Sequence, residues 1–360
     1  MINLRILAPS QIKYFGDLYP FRRWNEQLQE AGINVEIFFD HKNRKLFNSD
    51  RVLLHHRYFD SGWVNALKTA TDVNGDFINY LSNLRANVGK LIWFDADDSS
   101  GTTQFPVIPF VDTFVKKQVL KDKSYYVGNP NENKNLMVWC DQNAEQKQFS
   151  PCPEDQIEKI KVGWNIALYD YRNFFIHYNI RKYLSHYVNH NTFPLKYTGV
   201  NNNRPFDVSF RGTTNYSTKY SIVAFQRNRV LEVFKTLPYK LAAGGNVHRY
   251  KYLDELNHSK ISISPFGFGE ICFRDFESFI SGALLVKPSM EHVETFPDIF
   301  KPGETYVPVS WDLSDLNETL DKIINNYQFY QQIAINGQAM YKKIINDPVI
   351  FVEAVKRVIS

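Results

Sequence analysis

The sequence predicts an α/β protein made of two domains, each built on a parallel sheet flanked by helices. Short apolar segments typical of buried strands alternate with longer segments typical of helices, and this alternation occurs in two series along the chain. A segment rich in asparagine and proline, residues 189–206, separates the two series and is typical of a linker. The length of 360 residues also exceeds what one hydrophobic core usually serves.

The first series opens as a strand, a helix and a second strand, with Gly32 ending the helix. The polar segment 112–160, which includes the asparagine-rich loop 128–135, carries the weakest pattern. We assign residues 1–190 to this domain. Its predicted elements are strands over 3–9, 33–40 and 51–59, a helix over 62–86, a strand from 90 that enters the polar loop 96–101, and a helix over 169–188.

The second series predicts another parallel sheet, in residues 206–340, after a linker over 191–205. We expect the last segment, 341–360, to be a helix that packs back on the first domain. The elements predicted are strands over 207–212, 239–245, 260–265 and 283–288, helices over 220–237, 248–259 and 273–282, and helical structure over 315–359.

Composition narrows the function classes. Lys and Arg number 42 and Asp and Glu 38, so the formal net charge of +4 is too small to predict nucleic-acid binding. Cys140, Cys152 and Cys272 are odd in number and form no close pair, which favours a reducing compartment over disulfides or zinc. The N-terminal residues lack the apolar core of a signal peptide, and no stretch is long enough to span a membrane. We therefore expect a cytoplasmic protein.

The segment SPFGFGEICFRDFE, residues 264–277, contains glycines that leave the backbone exposed, together with an arginine and several carboxylates. Gly267 and Gly269 would let the backbone approach a phosphate, Arg274 can donate paired hydrogen bonds to a diphosphate, and Glu277 can accept from two ribose hydroxyls. Arg274 and Glu277 are spaced to share nearly one helix face. This pattern predicts a nucleotide site. A helix-surface ion pair beside an ordinary turn explains it equally well.

Further candidates lie on strand-to-helix connections of the same domain. Arg211 and Gly212 end one strand, and His248, Arg249 and Tyr250 follow another. Ligands of open parallel sheets bind outside the carboxyl ends of the strands. Several cations on that edge therefore indicate an anionic ligand.

Residues 259–288, SKISISPFGFGEICFRDFESFISGALLVKP, resemble the nucleotide-sugar region of GT-B glycosyltransferases of the group-1 and exostosin-like kind. The resemblance extends over most of 207–320, and in the first half it depends on IWFDADDSSG, VDTFVKKQ and VGWN. It implies two Rossmann-like domains facing a cleft, which is the GT-B type. It also implies Glu277 at the donor ribose, Arg211 and Arg274 near the diphosphate, and Gly267 with Gly269 beneath it. The role of Glu270 is in doubt because it lies one residue closer to Glu277 than the family pattern places its first glutamate.

The expected activity is transfer of a sugar from a nucleotide-diphosphate sugar, with UDP favoured, to a hydroxyl of a glycan or lipid-linked glycan in polysaccharide synthesis. We expect no cofactor, no metal, no nucleic-acid partner and at most peripheral membrane contact. The donor-binding candidates are Arg211, Gly212, His248, Arg249, Tyr250, Phe266, Gly267, Gly269, Glu270, Arg274 and Glu277.

The segment WFDADD, residues 93–98, offers a second carboxylate group. On the acceptor side of the cleft, Asp95, Asp97 or Asp98 could deprotonate the acceptor hydroxyl. Two other interpretations remain open. Asp95 and Asp97 also match the DxD of metal-dependent GT-A glycosyltransferases, where carboxylates hold a divalent cation on the diphosphate. Alternatively, Asp97 or Asp98 simply caps a turn through Ser99 and Ser100.

Two other classes share parts of this pattern. A non-catalytic nucleotide-sugar binding module would keep the second-domain residues and lack a productive base. A periplasmic-type two-lobed binding protein also has two α/β halves, but the N-terminal sequence disfavours it.

Overall fold

The first domain is built on a parallel sheet. The computed structural model describes residues 1–59, 75–128, 150–172, 180, 183–184, 187–214 and 221–360. The strands and helices of this domain are β1 (Ile2–Leu7), α1 (Phe15–Arg23), α2 (Asn25–Glu30), β2 (Ile33–Phe38), β3 (Arg51–His55), α3 (Gly75–Asn87), β4 (Leu91–Asp95), β5 (Thr113–Lys116), β6 (Gln118–Leu120) and β7 (Ile160–Val162). The sheet has the strand order β2-β1-β3-β4-β5-β7.

The second domain carries another parallel sheet, with the order β9-β8-β10-β11-β13. The chain then continues in three successive helices. The elements are β8 (Phe206–Arg211), α4 (Ser221–Phe234), β9 (Leu241–Gly244), α5 (Arg249–Asn257), β10 (Ser259–Ile263), α6 (Phe273–Ser281), β11 (Leu284–Pro288), β12 (Val293–Thr295), β13 (Val307–Val309), α7 (Leu316–Asn325), α8 (Tyr327–Asn346) and α9 (Pro348–Ile359).

The inner strands are buried on both faces because helices cover both sides of each sheet. Every residue of β4 and of β11 is buried, as expected for parallel strands between two helix layers. Helix α6 turns Phe276 and Phe279 into the core and ends at Gly282, which adopts a φ of 66°.

In each sheet, the strand order reverses direction beside the first strand of the domain. β1 lies between β2 and β3 in the first sheet, and β8 lies between β9 and β10 in the second. The loops that leave the carboxyl ends of β1 and β3, and of β8 and β10, therefore diverge to opposite sides. A crevice opens at such switch points, which is where open parallel sheets bind ligands.

The two domains contact each other through a ribbon and the last helix. β6 of the first domain pairs antiparallel with β12 of the second. Helix α9 crosses back to the first domain, where Phe351 packs edge-on against Phe21 at 4.9 Å between ring centroids and Arg51 donates from Nε to the Ile359 carbonyl at 2.7 Å.

The predicted fold class is confirmed: the chain forms two Rossmann-like domains facing a cleft, which is the GT-B arrangement. The boundaries 1–190, 191–205, 206–340 and 341–360 stay predictions. In the described part of the chain, no helix combines the length and the apolar character needed to cross a bilayer.

Some predicted elements differ from the structure. The helix expected before Gly32 is two helices that meet at Trp24, and the first of them begins at Phe15. β5, β6 and β7 lie in the polar segment whose pattern was too weak to predict them. The strand over 51–59 ends at His55 and continues as a 3-10 turn.

Residues 169–172, expected to begin a helix, are not helical. Arg172 is fixed by both oxygens of Asp170 and donates to the carbonyls of Val188, Asn189 and Phe193. These contacts anchor an irregular segment. Residues 62–74, 129–135 and Cys140 lie outside the described residues.

Candidate active site

A cleft of about 690 Å³ lies between the carboxyl edges of the two sheets. Its first-domain wall comes from residues that follow β1, β3, β4 and β5, and its second-domain wall comes from residues that follow β8, β9 and β10 together with α4 and α6. The charged residues lining it are Lys13, Asp17, Arg57, Asp98, Lys117, Asp170, Arg211, Arg227, Arg249, Arg274 and Glu277.

The second-domain wall carries a group of arginines. Arg227, Arg249 and Arg274 all line the cleft. The Nε atoms of Arg249 and Arg274 are buried and have no hydrogen-bond partner within the described residues. Buried donors without acceptors are costly, so this wall is suited to an anionic ligand that would accept from them.

Arg211 also lines the cleft, but Glu255 already engages its guanidinium. Nε and Nη2 donate to the two Glu255 oxygens, each at 2.8 Å, and Nη1 donates to the carbonyl of Ala243. Arg274 reaches back to the Arg211 carbonyl and stacks over Phe210 at 4.9 Å. Arg211 therefore holds the end of β8 in place beneath Arg274, and most of its hydrogen-bonding capacity is used within the protein.

Glu277 lies in α6 with its carboxylate at the cleft. Tyr252 donates to it from the hydroxyl at 2.7 Å, and Arg249 donates from Nη2 at 3.2 Å. Burial and the neighbouring Glu277 raise the pKa of Tyr252 well above its usual range, so this hydroxyl keeps its proton and remains a donor. The carboxylate is thereby fixed in one orientation beside Arg249.

The loop between β10 and α6 is held by a buried set of contacts. Asp275 accepts from the Ser264 hydroxyl at 2.5 Å, from the Cys272 amide at 2.9 Å and from Lys287 at 2.6 Å. Helix α6 begins immediately after this loop, and its first residue, Phe273, lines the cleft. The partial positive charge of the helix N-terminus therefore adds to that of the arginines.

The two glycines of this loop have different surroundings. A Cβ on Gly269 would lie 1.6 Å from the carbonyl oxygen of Asp98. Only a residue without a side chain therefore allows the first domain to approach this closely. A Cβ on Gly267 would lie 3.2 Å from the Cys272 sulfur. Both glycines line the cleft, but domain contact alone explains Gly269.

Glu270 also connects the two domains. Its carboxylate is buried and accepts from the amide and hydroxyl of Ser100, at 3.0 Å for the amide, and from Gln118 at 3.2 Å. It is absent from the cleft lining. The structure therefore gives Glu270 partners in the first domain where the sequence predicted a donor contact.

The other candidates from the second domain lie around the cleft without lining it. His248 caps α5 by accepting from the Tyr250 amide, and the two rings stack at 5.2 Å. Phe266 is buried and donates from its amide to Gln226. Gly212 follows β8 and donates to the Gly244 carbonyl at 3.2 Å.

The three aspartates of the acidic loop occupy different surroundings. Asp95 is fully buried and accepts from Lys116 at 2.8 Å. Asp97 is buried and accepts from Arg57 at 2.9 Å and from Gln104 at 2.8 Å. Asp98 alone of the three lines the cleft, with 52% of its side chain exposed.

His56, Asp95 and Asp97 bring ligand-type atoms within 4.8 Å of one another. A divalent cation does not fit well there. Lys116 and Arg57 already neutralise the two carboxylates, and the His56 Nδ1 accepts from the Ala96 amide at 2.8 Å. A cation would have to displace both basic side chains, so this cluster resembles a structural ion-pair network more than a metal centre.

Asp17 lines the cleft from α1 and was not among the candidates predicted from the sequence. Its carboxylate contacts His55 Nε2 at 3.1 Å and Lys117 Nζ at 3.4 Å, and it accepts from the Tyr169 hydroxyl. Burial alone would raise the pKa of Asp17, but Lys117, His55 and these hydrogen bonds together hold it well below its usual range. No local motif marks Asp17.

Lys117 and Arg227 were also missed. Lys117 contacts Asp17 and, at 3.7 Å, the Asp98 carboxylate. Burial would lower the pKa of Lys117, but Asp17 and Asp98 raise it above its usual value, so it stays charged. Lys117 lay within the quoted segment VDTFVKKQ without being assigned a role, and Arg227 lies inside α4 away from any strand end.

Comparisons with known proteins give distant structural similarity. No protein-family model matches the sequence, and no curated protein does. The T4 phage BGT in complex with UDP-glucose covers 100% of both chains at 12% identity and a TM-score of 0.46. An alpha-glucosyltransferase in complex with UDP and a 13-mer DNA covers 100% of both at 9% identity and a TM-score of 0.48. Anabaena HepE in complex with UDP and glucose covers 99% of both at 9% identity and a TM-score of 0.43. Likeness at this level says nothing about the substrate of this chain.

Proposed function

We propose that the chain is a glycosyltransferase that moves a sugar from a nucleotide-diphosphate sugar to a hydroxyl group. One observation carries the proposal: Arg227, Arg249 and Arg274 converge on one wall of a cleft whose other wall exposes the carboxylate of Asp98. Sugar transfer from such a donor needs a cationic site for the leaving diphosphate and a base for the incoming hydroxyl. The two walls supply these separately.

On the donor side, Arg249 and Arg274 would donate to the diphosphate from their guanidinium groups, since both side chains line the cleft. The N-terminus of α6 would add its exposed amides. Glu277, oriented by Tyr252, would accept from the ribose hydroxyls. UDP is favoured as the nucleotide by the sequence resemblance. Fixed cations in a water-poor cleft stabilise the leaving group without reorganising, which is the largest contribution expected here.

On the acceptor side, Asp98 would take the proton from the attacking hydroxyl. Lys117 contacts its carboxylate at 3.7 Å, and Asp17 holds Lys117 in place. Asp95 and Asp97 are less suitable as bases because Lys116 and Arg57 occupy them. Transfer would then need no metal, since the arginines provide the charge that a divalent cation provides in GT-A enzymes.

For the acceptor we propose a glycan or lipid-linked glycan, used in polysaccharide synthesis in the cytoplasm or at its membrane face. Tyr14 and Tyr169 line the acceptor side of the cleft, and Phe273 of the second domain lies 6.0 Å from Tyr169 between ring centroids. These rings offer flat apolar surfaces to sugar rings. Cys152 and Cys272 are free thiols, which suits a reducing compartment.

A thermal-shift panel tests the donor proposal. Nucleotides and nucleotide sugars are each added with EDTA or with Mn²⁺, because a ligand that binds the native state raises the unfolding temperature. A UDP-sugar is expected to raise it equally under both conditions, and Arg274→Ala should reduce the shift. No shift with any nucleotide, or a shift only with Mn²⁺, would contradict the proposal.

An acceptor panel then tests the transfer. Release of the nucleoside diphosphate is followed with oligosaccharides, lipid-linked saccharides and duplex DNA as separate acceptors. Stimulation by a saccharide acceptor is expected. Stimulation by DNA alone would replace the glycan acceptor with a nucleic acid, and donor binding with no turnover on any acceptor would favour a non-catalytic binding module.

A further inference from the structure

A second cavity of about 700 Å³ lies at the junction of the two domains, and it shares no lining residue with the cleft. Lys121, Asp122 and Tyr125 of the first domain line one side. His292 and Trp311 of the second domain line the other. The β6–β12 ribbon continues into this site, where the Lys121 amide donates to the His292 carbonyl at 3.0 Å.

Trp311 provides a fixed aromatic surface in this cavity. Its indole Nε1 donates to the Ser289 carbonyl at 3.0 Å, and the His292 ring contacts it edge-on at 4.3 Å between centroids. Phe266 packs behind it at 6.2 Å. The ring therefore cannot rotate freely, and Tyr125 adds a second aromatic ring to the lining. Rigid aromatic groups of this kind bind ligands with little loss of side-chain entropy.

The cavity also has polar groups at its rim. The Asp312 carboxylate accepts from the Ser314 amide at 3.0 Å, and this hydrogen bond lowers the pKa of Asp312, so the group is ionised at neutral pH. Burial and the nearby Lys121 and Lys287 lower the pKa of His292 to about 4, so its ring is neutral. The Nε2 of His292 is buried and has no hydrogen-bond partner in the part of the chain that the structure describes.

We propose that this cavity is a second, non-catalytic binding site for a saccharide. A sugar ring offers an apolar C–H face that packs on the electron-rich face of an aromatic ring, and a rim of hydroxyls that both donate and accept. Trp311 and Tyr125 match the first feature, and Asp312, Ser310 and His292 match the second.

Other ligand classes fit the same cavity less well. A purely apolar ligand would leave the His292 Nε2 without a partner and would remove the Asp312 carboxylate from water, which costs free energy. An anionic ligand would face two carboxylates, of Asp122 and Asp312, against the single ammonium of Lys121. A neutral, polyhydroxylated ligand satisfies the rim without either penalty.

A glycan array probed with the purified protein in saturating UDP tests this site, because UDP fills the nucleotide part of the cleft if the proposed function holds. Binding to at least one saccharide is expected, with affinity then measured by calorimetry. Trp311→Ala and Tyr125→Ala should each weaken it about tenfold or more, since they remove stacking surface. Trp311→Phe, which keeps an aromatic ring, should retain most of the affinity.

Two controls separate this site from the cleft and from non-specific stacking. Phe329→Ala removes an aromatic side chain that is 73% exposed elsewhere and should change nothing. Arg274→Ala should leave saccharide binding intact even though it weakens donor binding. The two binding measurements therefore test the second site and the donor site independently. No binding on the array, or binding that Arg274→Ala abolishes and that both Trp311→Ala and Tyr125→Ala spare, would overturn the proposal.

Discussion

The two walls of the cleft use their charges differently. On the first-domain wall, Asp17, Lys117 and Asp98 lie in one continuous network, with Lys117 between the two carboxylates. On the second-domain wall, Arg249 and Arg274 keep buried Nε donors that no described residue accepts from. A wall whose positive and negative side chains pair with one another is suited to binding a neutral hydroxyl group and accepting its proton. A wall with surplus donors suits an anion.

The same contrast separates the aspartates within one loop. Asp95 and Asp97 point into the domain and are neutralised by Lys116 and Arg57, whereas Asp98 faces the cleft. Adjacent carboxylates in one short motif can therefore have unrelated roles. Burial and the identity of the basic partner distinguish them.

The largest expected effect is the loss of turnover in Asp98→Asn. Removing a general base typically lowers the rate by about 10² to 10⁴, and donor affinity should not change because Asp98 lies on the opposite wall. The measurement is kcat with calorimetric binding of UDP in parallel. Asp298→Asn, at an exposed position paired with Lys301, is the matched control and should behave as the native protein. Full activity in Asp98→Asn would assign the base elsewhere.

Asp95→Asn should damage stability rather than chemistry. The substitution removes the negative charge that balances the buried Lys116 ammonium, which also donates to the Thr102 carbonyl at 2.6 Å, and breaking such a buried ion pair costs about 3 to 5 kcal/mol. Urea denaturation measures this loss. If Asp95→Asn instead folds with native stability and loses a UDP affinity that the native protein shows only with Mn²⁺, the metal-site interpretation of this loop regains support.

Arg274→Ala should weaken UDP binding by about 10- to 100-fold, since it removes charge-assisted hydrogen bonds worth about 1.5 to 3 kcal/mol. Calorimetry on the folded variant measures it. Arg229→Ala serves as the control, because Arg229 lies on the same domain, is exposed and pairs with Glu232. Equal affinity in the Arg274 and Arg229 variants would remove the diphosphate from this wall.

Glu277→Gln should give the smallest of these effects, a loss of about 5- to 10-fold in UDP affinity, because a neutral amide accepts more weakly than a carboxylate. The loss should disappear when the ligand is the 2′,3′-dideoxy form of UDP, which has no ribose hydroxyls to donate. An undiminished loss with that ligand would mean that Glu277 acts only by orienting Arg249 and Tyr252.

The second-domain wall could be predicted from sequence because its residues are local to strand ends. Arg211 is the last residue of β8, and Gly267, Arg274 and Glu277 fall in one continuous segment. Arg227 could not be predicted, since it reaches the cleft from inside α4. The first-domain wall depends on distant contacts, such as that between Asp17 and Tyr169, which are 152 residues apart. No short window contains that information.

Gly269 and Glu270 show a different limit. In the sequence, this glycine and glutamate suggest a phosphate-binding loop. In the structure, Gly269 leaves room for the Asp98 carbonyl, and Glu270 accepts from Ser100 of the first domain. A phosphate-binding loop and a domain contact both need a residue without a side chain and a carboxylate. The sequence pattern is the same for both, so only the position of the first domain distinguishes them.

A crystal structure grown with a UDP-sugar and Mn²⁺ tests the central claim most directly. The account predicts that the diphosphate oxygens lie within hydrogen-bonding distance of Arg227, Arg249 and Arg274, with no metal ion bridging them to the protein. A diphosphate bound beside Asp95 and Asp97 through a manganese ion would contradict it.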